Sequence, residues 1–189
     1  MRHKYPTEAL VLARTPVGEA SALLTLLTRE VGLVRARAQN IRAPGAKLSA
    51  ALATFAESEL VLVAGKEGWR VSGALLRENW FQRLPREARI RAARVSALLL
   101  RLVHGEAPDQ ALYETFAEFL AALSSLPEAE HDAAETLAVL RILSVLGLDA
   151  GDIPGAGGAP FSSASLALVA KERSALIARV NRGIAASGL

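Results

Sequence analysis

Over about the first 80 residues the apolar positions form short Val-, Leu- and Ala-rich runs broken by polar turns, and after Pro85 they recur at helical spacing. The first part predicts five strands, near Ala9–Arg14, Ala22–Thr28, Leu33–Asn40, Ser58–Ala64 and Trp69–Leu76. Pro16-Val17-Gly18 and Gly32 punctuate the early connections, and Gly65 to Gly68 reads as a hairpin turn. Five strands in so short a stretch predict a small barrel. Residues 46–55 fit two states: alanine favours a short helix, but the segment can equally extend the loop after the third strand.

The helical part predicts a bundle of about four helices. Pro85 suits a first helical turn, where its missing N–H costs nothing. Over residues 86–104, Ala88, Ala92, Val95, Leu99 and Leu102 share one side, and Arg83, Arg94 and Arg101 project from the other. Asp109–Leu126 predicts an acidic amphipathic helix that buries Leu112, Phe116, Phe119, Leu120 and Leu123. Asp132–Leu146 is apolar nearly all round and is expected to be the core, stopping at Gly147. A Gly-, Pro-, Ala- and Ser-rich stretch at about 149–165 predicts a flexible loop before a last helix over Leu166–Ala186. The expected organisation is two-domain α+β, with a barrel over 1–80 and an all-α domain over 81–189.

Composition sharpens this picture through charge. The net charge is only +3, but residues 1–101 hold 17 Lys/Arg against 8 Asp/Glu and residues 102–152 hold 1 against 10. Residues 33–47 carry the most telling group of cations, Arg35, Arg37, Arg42 and Lys47. In a strand over Leu33–Gln39, Val34, Ala36 and Ala38 face one way and Arg35, Arg37 and Gln39 the other. Arg42 and Lys47 then flank a Pro44-Gly45 turn. Cations on one strand face and in the following loop are how oligonucleotide-binding barrels track phosphates, with aromatic rings supplying stacking. The aromatics here are few, and Phe55, Trp69 and Trp80 each fit a core position better than a base platform. Any binding is therefore expected to be mainly electrostatic and salt-sensitive. Solvation of an alanine-rich chain accounts for the same arginines without a ligand.

Other chemistries find little support. Cysteine is absent, which excludes disulfides, thiolate metal sites and a cysteine nucleophile. His3, His104 and His131 lie far apart in no metal-ligand spacing, and no activated nucleophile stands out, so no enzyme activity and no cofactor are expected. Gly155 to Gly158 follows no strand and lacks the Lys of a phosphate loop. The acidic residues at 128, 130, 132 and 135 surround a helix start, where negative charge favours the macrodipole. The run Ala9–Ala13 is too short for a signal-peptide core, and a cytoplasmic protein is expected.

Three stretches resemble the bacterial recombination mediator family RecO. They are Glu8-Ala9-Leu10-Val11-Leu12 with Gly18-Glu19, then Leu23 to Glu30 with Gly32-Leu33-Val34 and, beyond the basic loop, Lys47-Leu48, and finally Leu140 to Leu148 around Arg141. The resemblance implies an OB-fold-like barrel joined to a helical domain, with single- and double-stranded DNA as ligands. It also implies strand annealing, a RecR-like ring protein, a RecA-like recombinase, and the acidic tail of single-strand-binding protein as partners, and a nucleoid-associated location. Many members carry a four-cysteine zinc motif where this chain has only residues 149–165, which marks a shortened, metal-free variant.

Phosphate contact is expected from Arg35, Arg37, Arg42 and Lys47, with Arg14, Arg29 and Arg70 as neighbours; Arg29 can instead pair with Glu30 or Glu19. Arg83, Arg91, Arg94 and Arg101 form a second group, suited to duplex DNA or an acidic tail and equally to a solvated helix face. Arg141, inside an apolar helix, needs a buried carboxylate or an acidic ligand. The alternative function is a protein-only adaptor of repair or replication complexes.

Overall fold

The computed structural model describes residues 3–39, 41 and 48–188. It divides into two compact units, Met1–Arg83 with Val103–Tyr113, and Leu84–Leu102 with Glu114–Leu189.

The first unit is built on five strands: β1 (Lys4–Val17), β2 (Ser21–Thr28), β3 (Gly32–Ala38), β4 (Ala56–Gly65) and β5 (Gly68–Asn79). They close in the order β1-β2-β3-β5-β4, every neighbouring pair antiparallel except β3 with β5. β1 is far longer than its apolar run because it serves two neighbours. Lys4 to Leu10 pair with β4, Ala9 to Val17 pair with β2, and a bulge between Val11 and Ala13 turns the strand from one to the other. The β3–β5 seam is short, with Ala36 opposite Trp69 and Arg37 opposite Arg70.

Period-two geometry fills the interior. Val34, Ala36 and Ala38 are buried with Leu24, Leu26, Leu60 and Leu62, and Ile41 and Leu52 complete the cluster. Residues 48–55 form successive turns, not a helix, and Ser58 Oγ donates to the Ala51 carbonyl at 2.8 Å to tie them to β4. A four-residue helix, α1 (Trp80–Arg83), follows β5. Val103–Tyr113 folds with the barrel, so a cut at residue 80 does not divide the chain. Gly32, at φ 89°, lies so close to this segment that a Cβ there would stand 2.3 Å from the Ala107 carbonyl oxygen. The Tyr113 hydroxyl donates to Glu57 Oε1 at 3.1 Å.

The second unit contains α2 (Arg86–Leu102), most of α3 (Gln110–Ser125), α4 (His131–Val145), α5 (Ser163–Lys171) and α6 (Arg173–Ala186), with a 3-10 turn over Glu128–Glu130. The described residues thus form six α-helices, not about four. The expected last helix is two pieces that meet at Glu172 (φ −100°, ψ 15°), where Arg173 reaches Asp132 at 2.7 Å. α4 is the hub, contacted by α2, α5 and α6. It ends in a Schellman turn: Leu148 N–H donates to the Leu143 carbonyl and Gly147 N–H to Ser144, with Gly147 at φ 70°. Residues 149–165 are tied down despite their composition. Asp149 pairs with Arg179 through both carboxylate oxygens, Phe161 is buried with its ring 6.0 Å from Phe119, and Ser162 caps α5.

Candidate functional site

The alternation in β3 sends Arg35 and Arg37 outward, and both are exposed. The β4–β5 hairpin brings Lys66 at its tip and Arg70 just beyond it, in register with Arg37. Together these side chains line a groove of about 900 Å³ with Val17, Leu23, Val63, Trp69, Gln39 and Glu67. No ion pair holds Arg35, Arg37, Lys66 or Arg70 among the described residues. Four cations outside any ion pair thus gather in one groove whose lining is partly apolar and includes one carboxylate, Glu67; a surface of this kind suits an anionic chain.

One aromatic belongs to this groove. Trp69 is half-buried and packs against the barrel core. Its Nε1–H donates to Glu106 at 2.7 Å, and the Tyr5 ring stands edge-on at 5.1 Å.

The other expected phosphate ligands fall elsewhere. Arg42, Lys47 and the Pro44-Gly45 turn lie outside the described residues. Arg14 stands in the row of Leu24 and Ala36, the inward row of the sheet, and is half-buried. Arg29 pairs with Glu8 at 2.9 Å, with its guanidinium 5.9 Å from the centre of the Tyr113 ring. That corner is a separate groove of about 580 Å³ with mixed charge, where Glu8, Glu30 and Glu59 offset Arg29 and Arg77. Burial, and then the Glu57 and Glu8 carboxylates, push the Tyr113 hydroxyl well above its ordinary pKa, so it is neutral and donates.

The second basic group divides between the units, Arg83 in the first and Arg91, Arg94 and Arg101 in the second. Arg83 ends α1, pairs with Glu78 at 2.6 Å and lies over Trp80. Arg91 and Arg94 share Glu135 of α4 at 2.6 and 2.5 Å, and Arg91 also meets Asp132 at 3.5 Å. On the basic face of α2, Arg91 and Arg94 are thus engaged by carboxylates of α4. Arg101 is exposed in the last turn of α2, where a cation suits the helix dipole. Arg141 has Glu118 at 3.6 Å and the Phe161 ring at 5.4 Å, and its Nε is buried without a hydrogen-bond partner among the described residues. Burial raises the Glu118 carboxyl above the usual range and the Arg141 charge pulls it partly back.

Among the described residues no group of three or more His, Cys, Asp or Glu could hold a metal ion, and no helix is long and apolar enough to cross a membrane. Lys66, which lines the groove, and Glu106, which accepts from the Trp69 indole, escaped the sequence reading. Period alone does not say that the β4–β5 hairpin lies beside β3, or that residue 106 lies beside residue 69.

Comparison with known proteins converges on one family. The model of the recombination protein O N-terminal family matches residues 1–78, which cover the barrel strands. The DNA repair protein RecO of Acaryochloris marina is 30% identical over 150 residues, 78% of this chain and 51% of that protein. The DNA repair protein RecO of Heliobacterium modesticaldum is 35% identical over 143 residues, 76% of this chain and 51% of the relative. That of Synechococcus elongatus is 42% identical over 66 residues, 35% of this chain and 25% of the relative. The chain spans about half the length of the longest-matching of these curated relatives. With the family pattern laid over the strands that carry the groove, and the longer matches running on past the barrel, the chain belongs to the RecO family.

Proposed function

We propose that the barrel is an OB-fold-like module whose groove binds DNA, and that the chain acts without catalysis as a mediator of recombinational DNA repair. The observation that carries this reading is the clustering of Arg35, Arg37, Lys66 and Arg70 around one groove, none of them held in an ion pair among the described residues. Such a surface attracts phosphates by counterion release and reads little sequence. Kinship with DNA repair proteins supports the same role. In this reading the protein binds single and double strands, promotes annealing and assists the loading of a RecA-like recombinase on single strands coated with single-strand-binding protein, working with a RecR-like ring protein. Arg42 and Lys47, outside the described residues, are assigned to phosphate contact from their place in the sequence alone. Arg91 and Arg94, engaged by Glu135, contribute little to it.

The test is fluorescence anisotropy of a labelled oligothymidine at several salt concentrations. In a triple variant, Arg35→Ala with Arg37→Ala and Arg70→Ala, the affinity falls and the slope of log affinity on log salt drops by about 0.7 for each phosphate contact removed. An unchanged slope in a protein that binds would remove the groove from the reading. No binding by the unaltered chain at low salt would favour the protein-only adaptor.

A further inference from the structure

We infer that Trp69 is the base-stacking platform of this groove and that Glu106 is the residue that positions it. The inference rests on the groove being the nucleic-acid site and adds what that site does with an unpaired base.

The two tryptophans of the chain make an internal comparison. Each gives its indole N–H to a glutamate, Trp69 to Glu106 at 2.7 Å and Trp80 to Glu57 at 2.8 Å. Trp80 is closed in, 7% exposed and lying beneath Arg83. Trp69 is half-exposed, rests on the barrel core and lines the groove among Arg35, Arg37, Lys66 and Arg70. The anchored N–H is common to both rings; what sets Trp69 apart is its half-exposed place in the cationic groove, where the same anchor fixes the angle at which a base would meet it. The N–H can only donate, so the carboxylate defines its direction, and the edge-on Tyr5 ring restrains the ring plane. With its rotamer already restricted, the platform loses little freedom when a base arrives.

Glu106 is brought there from outside the strands. It sits in the Val103–Tyr113 segment, which folds with the barrel, pressed onto Gly32 through Ala107 and anchored at Tyr113 by Glu57. A carboxylate beside a phosphate track opposes binding on charge alone. Its presence is accounted for by the indole hydrogen bond, and the two effects separate experimentally. Removing the side chain abolishes both, whereas an amide removes the charge and keeps an accepting oxygen.

The experiment uses the full chain labelled with 5-fluorotryptophan and followed by fluorine NMR, with an oligothymidine as probe and anisotropy as an independent measure of binding. Of two resonances, the one missing in Trp69→Phe belongs to Trp69. On saturation that resonance shifts and the Trp80 resonance stays, a result that needs no truncated variant. By anisotropy Trp69→Ala weakens binding about tenfold or more. Glu106→Ala binds roughly threefold more weakly than Glu106→Gln, since the amide still accepts from the indole. If binding saturates and is lost in the Arg35/Arg37/Arg70 triple variant while the Trp69 resonance does not move, stacking is overturned and the groove stands. Equal affinities for Glu106→Ala and Glu106→Gln overturn the positioning role. A chain with no saturable binding overturns the groove and the platform together.

Discussion

Glu135 decides the character of α2. Its carboxylate, 17% exposed, receives Arg91 and, through Nε and Nη2, one edge of Arg94, and so ties α2 to α4 where the sequence reads as a basic face. Glu135→Ala leaves Arg94 without its acceptor and Arg91 with Asp132 alone, and urea unfolding should show a loss of about 1–2 kcal/mol with little change in m-value. Arg94→Ala, in which a 57%-exposed side chain is removed, should cost less than about 1 kcal/mol. The reverse ranking would contradict this account. The alternation that sets Arg35 and Arg37 outward was legible in the sequence because it depends on adjacent residues alone. The partnership of Arg91 with a glutamate 44 positions away was not, because nothing local encodes which helix lies opposite.

At the scale of elements, the same limit separates what periodicity reveals from what pairing adds. All five strands were legible, yet β1 runs well beyond its apolar core because Lys4 to Leu10 serve β4. The 149–165 stretch reads as loose since its composition is poor in apolar anchors, and it is held by a few decisive ones, Phe161 and the Asp149–Arg179 pair among them. α6 shows a further case. Gly183 looks like a weak point in a helix, but its Cα hydrogens allow α6 to lie against Leu143, since a Cβ would meet Leu143 Cδ1 at 2.9 Å and the Leu148 carbonyl at 3.1 Å. Gly183→Val should destabilise the chain by about 1–3 kcal/mol in denaturant titrations, despite its better helix propensity in isolation. A neutral or stabilising outcome would show that α6 can move away at no cost.

For the molecule as a whole, charge is organised in two ways, left open on the barrel groove and closed into pairs in the helical unit. The second has a pH signature. Hydrogen bonds from Arg173 hold the Asp132 carboxyl below its ordinary range, and those from Arg179 do so for Asp149. A carboxylate whose pKa is lower folded than unfolded stabilises the fold above its unfolded value, about 3.9, and loses that contribution as pH falls through the folded value. Helical circular dichroism should therefore hold above about pH 4 and decline below it, and Asp132→Asn with Asp149→Asn should flatten the decline. An unaltered acid limb in the double variant would assign it elsewhere. The sequence disclosed the division of charge along the chain, but not that one set would be left open and the other paired.

The seam between β3 and β5 gives the barrel a tension of its own. The hoop is fastened by a clasp two residue pairs long, and at one of them two guanidinium-bearing residues, Arg37 and Arg70, sit side by side. Like charges opposite one another loosen a sheet. Under the proposed function, a polyanion draped across that clasp would cancel their repulsion, so occupancy and closure would reinforce one another, the cargo acting as the pin that keeps the hoop shut.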